Sequence, residues 1–192
     1  MRKVIVSNLI SLDGFYAGPA GEIDWFVNIP DTELEAYGIK LMESIDTMLF
    51  GRVTYELMAA YWPTASPGAD DQKVIDGMNR SAKVVFSRTL KKSEWNNTRL
   101  VAGDAAEEVA RLKRQPGKDM VIYGSGEIVS ALASKGLIDD YRIFVIPVVL
   151  GKGKSMFAGL QNRVNLKLME TRVFQTPGVT LLRYVPSDNK NT

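Results

Sequence analysis

The 192-residue chain is 45% apolar and 24% charged, the balance of an ordinary globular domain, which excludes a disordered segment or a coiled coil. Its 24 Lys and Arg face 22 Asp and Glu, so the formal charge of +2 supplies no broad basic field for nucleic acid. Cysteine and histidine are both absent, which excludes disulfides, thiolate chemistry, a Ser-His-Asp triad and His- or Cys-ligated metals, and leaves acid–base work to Asp, Glu, Lys, Tyr or water.

Met1-Arg2-Lys3 leads into an apolar run that stops before Asp13. The run is too short to span a membrane and has no small-residue cleavage site, so the expectation is a cytoplasmic protein. Residues 4–10 are a β-branched strand, and 11–24, "SLDGFYAGPAGEID", a long loop broken by Gly and Pro. Residues 31–44 carry Leu34, Tyr37 and Leu41 at helical spacing, with Asp31 as N-cap. A short strand, 47–50, runs into Gly51 and a second helix, "RVTYELMAAYW". A loop at 63–68 precedes a helix ending near Met78, and "KVVFS", 83–87, is a strand.

Asp104 and Glu107 form a capping-box pattern. The run Arg111-Leu112-Lys113-Arg114 reads as the solvated end of that helix. Residues 120–123 are a strand, 125–135 a helix stopped by Gly136, and 141–150, "YRIFVIPVVL", a continuous apolar strand. Residues 164–174 and 179–184 flank "QTPG" as a hairpin. Strands alternating with helices imply βαβ units and a mostly parallel sheet of seven or eight strands, covered on both faces. One domain is expected over 1–186, followed by a polar tail, 187–192.

Three segments carry chemistry. "YGSGEI", 123–128, has the first two glycines of a dinucleotide fingerprint, but Val129 replaces the third and no acidic residue follows at the right distance, so a Rossmann loop is rejected. "GKGKS", 151–155, looks like the end of a phosphate loop, but Val148 stands where its first glycine belongs, leaving a glycine turn. The third possibility spreads nucleotide contacts over separate strand ends. Gly51, Arg52 and Thr54 open a helix whose free N–H groups attract phosphate; Ser87, Arg88 and Thr89 place hydroxyls beside a guanidinium; Tyr123 to Ile128 form a second helix start. All three fall at the carboxyl ends of strands, where ligands bind in open α/β sheets.

This ordered set resembles the dihydrofolate reductase-like superfamily, and most closely a stand-alone form of the C-terminal reductase domain of the bifunctional riboflavin-biosynthesis deaminase-reductases. The carrying residues are Ser11-Leu12-Asp13-Gly14 with Ala17, then "GRVTYE", 51–56, "SRTL", 87–90, "YGSG", 123–126, "PVVLGKGKSMF", 147–157, and "LLRY", 181–184. The likeness runs over nearly the whole chain and includes no deaminase domain. It implies a three-layer α/β/α fold with a mostly parallel mixed sheet and a C-terminal antiparallel hairpin.

The resemblance implies NADPH as hydride donor. Gly51, Arg52, Thr54, Ser87, Arg88 and Thr89 are then expected at the adenosine and 2′-phosphate end. Gly124, Ser125, Gly126, Glu127 and Ile128 are expected at the pyrophosphate, Tyr123 elsewhere in the cofactor site, and Ala17 and Ile23 beside the nicotinamide. Two arginines and no ribose-binding carboxylate favour NADPH over NADH. Asp13, Trp25, Tyr55, Trp62 and Leu150 are candidates for the pocket of a small heterocyclic substrate. Asp13 or Asp31, raised in pKa by burial, is the candidate proton donor, with water as the alternative; Asp13 reads equally as a turn residue. Lys152 and Lys154 are either substrate-phosphate ligands or solvated surface lysines. The activity implied is reduction of 5-amino-6-(5-phosphoribosylamino)uracil; the alternatives are a pterin reductase and a nucleotide-binding protein without turnover. The same resemblance implies a homodimer, with neither nucleic acid nor membrane as partner.

Overall fold

The computed structural model of the chain describes residues 1–26, 29, 31–68 and 70–187. Residues 188–192 of the expected polar tail lie outside the described residues. The first strand, β1 (Val4–Ser11), sets the frame. Val4, Ile5 and Val6 are each no more than 1% exposed, so the strand is covered on both faces and needs no polar alternation. It pairs in parallel with β6 (Asp119–Ile122) on one side and β7 (Asp140–Ile146) on the other.

Beyond β6 lie β3 (Ile45–Gly51), β4 (Ala82–Phe86) and β5 (Thr98–Val101), all parallel. Beyond β7 lie β10 (Val179–Pro186) and β9 (Leu166–Phe174), both antiparallel. The eight strands run in the order β5-β4-β3-β6-β1-β7-β10-β9. The expected mixed sheet, parallel in its centre with a terminal hairpin, is the one observed.

Two helical layers cover it. Val4, Val6, Met120 and Ile122 pack against α4 (Ala105–Lys113) and α5 (Gly126–Ser134). Ile5, Met48, Val85 and Val121 face α1 (Thr32–Ser44), α2 (Arg52–Tyr61) and α3 (Gln72–Arg80). Phe144, Ile146, Phe174 and Leu181 continue that second face under the N-terminal half of α1.

Four expectations change. The strand at 141–150 ends at Ile146, because Pro147 has no N–H for the ladder and the Val148 N–H turns back onto the Ile146 carbonyl at 2.8 Å. The loop at 11–24 contains β2 (Phe15–Ala17), which pairs with β8 (Lys154–Ser155) in a separate two-stranded sheet. The strand β5 carried too short a signal to be read. Lys113, expected in a solvated helix end, is 8% exposed and paired with Asp139.

Candidate functional site

The parallel strands deliver β1, β3, β4 and β6 to one edge of the sheet, and a cavity of about 590 Å³ opens there. Its wall is continuous from Ser7 to Leu9 on β1, through Gly51 to Thr54 at the start of α2 and Phe86 to Arg88 after β4, to Tyr123 to Ile128 at the start of α5. The first loop supplies Tyr16, Ala17, Gly21, Ile23 and Phe26, and β8 supplies Lys154.

Helix caps mark this edge as different. Three helices begin on an aspartate that takes up free amide protons: Asp31 accepts from Leu34, Asp71 from Lys73, and Asp104 from Ala106 and Glu107. The two helices that open onto the cavity, α2 and α5, have no side-chain cap. Their first N–H groups, with the positive ends of the helix dipoles, are left to the cavity.

The two helix starts are tied together. The Ser125 hydroxyl accepts from the Gly51 amide at 2.8 Å and donates to the Thr54 hydroxyl at 2.9 Å. The Ser125 amide donates to the same Thr54 oxygen at 3.2 Å. Gly124 (φ 59°) and Ser125 (φ 55°) are both left-handed, a conformation costly for serine. Asn8 holds the turn from β1: its Oδ1 accepts from the Gly124 amide at 2.6 Å, and its Nδ2 donates to the Gly124 carbonyl at 3.1 Å. A side chain at Gly126 would place its Cβ 2.7 Å from the Tyr16 ring, so Tyr16 packs directly on the backbone there. Asn8 and Tyr16 escaped the sequence reading, since neither belongs to a glycine-rich or hydroxyl-plus-arginine pattern.

The charges around the cavity are mostly positive. Among the described residues, Arg52, Arg88 and Lys154 line it against the single carboxylate of Glu127. Arg52 is paired with Glu56 at 2.8 Å along the exposed face of α2, whereas Arg88 has no side-chain partner among the described residues. The Ser87 hydroxyl accepts from the Thr89 and Leu90 amides, at 3.2 and 2.9 Å, and so shapes the turn that presents Arg88.

Thirteen of the expected cofactor residues therefore meet at one cavity: Ala17, Ile23, Gly51, Arg52, Thr54, Ser87, Arg88, Tyr123, Gly124, Ser125, Gly126, Glu127 and Ile128. Thr89 is turned into the Ser87 turn and does not line it. The expected substrate residues are not brought there. Tyr55 faces inward from α2, is 3% exposed, stacks on Trp95 and accepts the Trp95 amide on its hydroxyl. Trp62 packs edge-on to Tyr61 and donates to the Met58 sulfur. Trp25 packs against Phe26, and it is Phe26 that reaches the cavity.

Both aspartates are otherwise engaged. Asp31 caps α1. Asp13 accepts from the Ser11 hydroxyl at 2.6 Å and from the Leu150 and Gly151 amides at 3.2 and 2.7 Å, which fixes Leu150 by its backbone. The Ser11 hydroxyl and these amides hold the Asp13 carboxyl below its ordinary range, the reverse of the raised pKa a proton donor needs. Lys154 stands at the cavity beside Gly21, and Lys152 is exposed outside it.

Comparison with known proteins places this geometry in a lineage. Residues 2–180 match the model of the RibD C-terminal domain family. The uncharacterized protein YyaP of Bacillus subtilis (strain 168) is 35% identical over 184 residues, 95% of this chain and 94% of that one. The crystal structure of a putative riboflavin biosynthesis protein from Shewanella sp. PV-4 superposes with a TM-score of 0.76 at 23% identity, covering 96% of this chain and 99% of that one. Dihydrofolate reductase from Enterococcus faecalis, complexed with NADP(H), superposes with a TM-score of 0.65 at 16% identity, covering 97% of each chain. The fold is that of the dihydrofolate reductase-like proteins, and the chain belongs to the RibD C-terminal domain family.

Proposed function

We propose that the protein is an NADPH-dependent reductase of the riboflavin-biosynthesis type, acting on 5-amino-6-(5-phosphoribosylamino)uracil or a small heterocycle like it. The observation that carries the reading is the pair of uncapped helix starts, α2 and α5, tied through Thr54 and Ser125 and flanked by Arg52 and Arg88. Free amides aimed into one cavity suit a pyrophosphate. The unpaired Arg88 suits a ribose 2′-phosphate, since a guanidinium meets a phosphate with two parallel hydrogen bonds. These donor sets fit NADPH, as does the likeness of the fold to a reductase complexed with NADP(H).

NADPH, when bound, supplies a hydride to a C=N or C=O group. The chain's own part is positional. The Gly124–Ile128 turn fixes the diphosphate; Ala17 and Ile23 border the ring end of the cavity; Phe26, Leu57 and Met58 exclude water from it. The pterin alternative lacks support here, because no carboxylate lines the cavity except Glu127, at the helix start.

The test is a fluorescence titration with NADPH and NADH, followed by NADPH oxidation against the riboflavin-pathway pyrimidine and dihydrofolate. NADPH should bind at least about tenfold tighter than NADH, and Arg88→Ala should remove that preference. Equal affinity for the two nucleotides would end the assignment of Arg88. Binding with no oxidation of either substrate would leave a nucleotide-binding protein without turnover.

A further inference from the structure

We infer that the side-chain hydroxyls of Ser7 and Tyr123 grip the ring of the substrate and select a carbonyl-bearing edge over an amino-substituted one. The inference rests on the reductase reading only in taking the cavity as a substrate site.

The two residues are neighbours by register. The parallel pairing of β1 with β6 sets Val4 beside Met120, Ile5 beside Val121 and Val6 beside Ile122. Ser7 and Tyr123 come next, where β6 ends and β1 continues alongside β7. Alternation puts both on the face of Ile5 and Val121, beneath the layer of α1 to α3. Both line the cavity.

Neither hydroxyl has a hydrogen-bond partner among the described residues. Most other hydroxyl or amide side chains nearby are bonded within the protein: Asn8 to Gly124, Ser11 to Asp13, Thr54 and Ser125 to each other, and Ser87 to its own turn; the Tyr16 hydroxyl, also without a bond among the described residues, stands apart at the α5 start beside Gly126. Ser7 is only 7% exposed. Hydroxyls that face a cavity without a protein partner are free to bond a ligand atom there. Two such groups side by side at the floor of a cavity mark where a polar edge is meant to lie.

Their chemistry decides which edge. Burial pushes the Tyr123 phenol well above its ordinary range, so it stays protonated and presents a donor. The Ser7 hydroxyl can donate beside it. No carboxylate lines this part of the cavity to accept from an amino group or to balance a cationic ring. Arg142, the register neighbour of Ser7 on β7, is held by Asp140 at 3.1 Å. The two neutral hydroxyls can donate to carbonyl oxygens, and with no carboxylate beside them nothing balances the positive charge that an amidine-like edge carries once protonated.

The test uses two pyrimidines of one shape: diaminouracil, with two ring carbonyls, and tetraaminopyrimidine, in which amino groups replace both. Calorimetric titration should show the wild type binding diaminouracil at least about tenfold tighter. Tyr123→Phe and Ser7→Ala should each weaken diaminouracil by about three- to tenfold, leaving tetraaminopyrimidine and the melting temperature almost unchanged. Failure of the wild type to bind diaminouracil, a preference for tetraaminopyrimidine, or equal losses for both ligands in the variants would overturn the inference. An NADPH titration on the same samples separates the two readings. If NADPH fails to bind, the reductase reading falls, while the pyrimidine preference still decides the role of Ser7 and Tyr123.

Discussion

The hydroxyl of Thr54 accepts twice from Ser125, once from the amide at 3.2 Å and once from the hydroxyl at 2.9 Å. Because Ser125 also accepts from Gly51, one serine links the helix start after β3 to the helix start after β6. The link makes the helix-start end of the cavity a single unit. It leaves the Thr54 proton free for a ligand oxygen, since both of that residue's observed bonds are accepted ones.

Thr54→Val keeps the shape of the side chain and removes the acceptor. Both Ser125 donors then lose their partner, at a cost of about 1–3 kcal/mol. The left-handed Ser125 also loses the contact that holds it. NADPH affinity should fall about tenfold or more, with little change in melting temperature beyond that cost. Ser125→Gly relaxes the backbone but breaks the same link, so it should weaken NADPH too, with stability less affected. Fluorescence titration and thermal melts on both variants check this, and unchanged NADPH affinity in Thr54→Val would remove the link from the binding site.

Asn8 holds Gly124 by both its amide and its carbonyl, and is itself 2% exposed. Asn8→Leu leaves two backbone groups of the turn unsatisfied in a buried place. The expected loss of stability is about 2–4 kcal/mol. Asn8→Asp should separate the two bonds, because a carboxylate can accept from Gly124 N–H but cannot donate to its carbonyl. Denaturant unfolding should rank wild type above Asn8→Asp and Asn8→Leu, and NADPH affinity should drop in both. A variant as stable as wild type would show that the turn holds itself.

The gathering of these segments at one cavity was legible because its signals are local. "GRVT", "FSR" and "YGSGEI" each place a strand end, a turn and a helix start within a few residues, and βα succession sends all of them to one edge of the sheet. The substrate end was not legible, because side-chain direction there depends on register and helix phase. Tyr55 is one position beyond Thr54, yet it turns into the core against Trp95. Asp13 read equally as a proton donor and as a turn residue, and it is held by the turn at Leu150 and Gly151, more than a hundred residues away. Ser7 stands in an apolar strand run where nothing distinguishes a cavity wall from a core, whereas Tyr123 was read with the glycine turn that follows it and does line the cavity. Short β5 and the two-residue β8 were invisible for a similar reason: their pairing comes from partners, not from their own pattern.

Gly153 tests how tightly the first loop is tied to the β8 segment. A Cβ at this position would lie 2.4 Å from the Ala17 carbonyl oxygen, a backbone atom that can move only if the β2–β8 pairing opens. Gly153→Ala should therefore displace Ala17 and Tyr16 together. The expected outcome is a several-fold loss of NADPH affinity with most global stability retained, because the eight-stranded sheet is untouched. Hydrogen exchange should show faster opening at residues 15–17 and 154–155 alone. Exchange unchanged there would mean that the loop absorbs the extra methyl without parting.

Lys83 gives a pH signature independent of the cavity. Its side chain is fully buried, lies 4.2 Å from the Trp95 ring centroid, and donates to the carbonyls of Asn79 and Asn96 at 2.8 and 3.2 Å. No carboxylate pairs with it among the described residues, and desolvation lowers its pKa from 10.5 to about 8. Below pH 8 the lysine is charged in both the folded and unfolded states, and the folded state bears the full cost of the buried charge. Between pH 8 and the unfolded value of 10.5 the unfolded chain binds more protons, so stability rises with pH. Between pH 8 and 10 this group should add about 2 kcal/mol to the unfolding free energy. Lys83→Met removes the titration, keeps the apolar stem against Trp95 and should flatten that rise. Chemical unfolding of both proteins at half-unit steps from pH 7 to 10 measures the difference. Parallel curves would show that the Lys83 ammonium is solvated in the folded protein, despite its buried place beside Trp95.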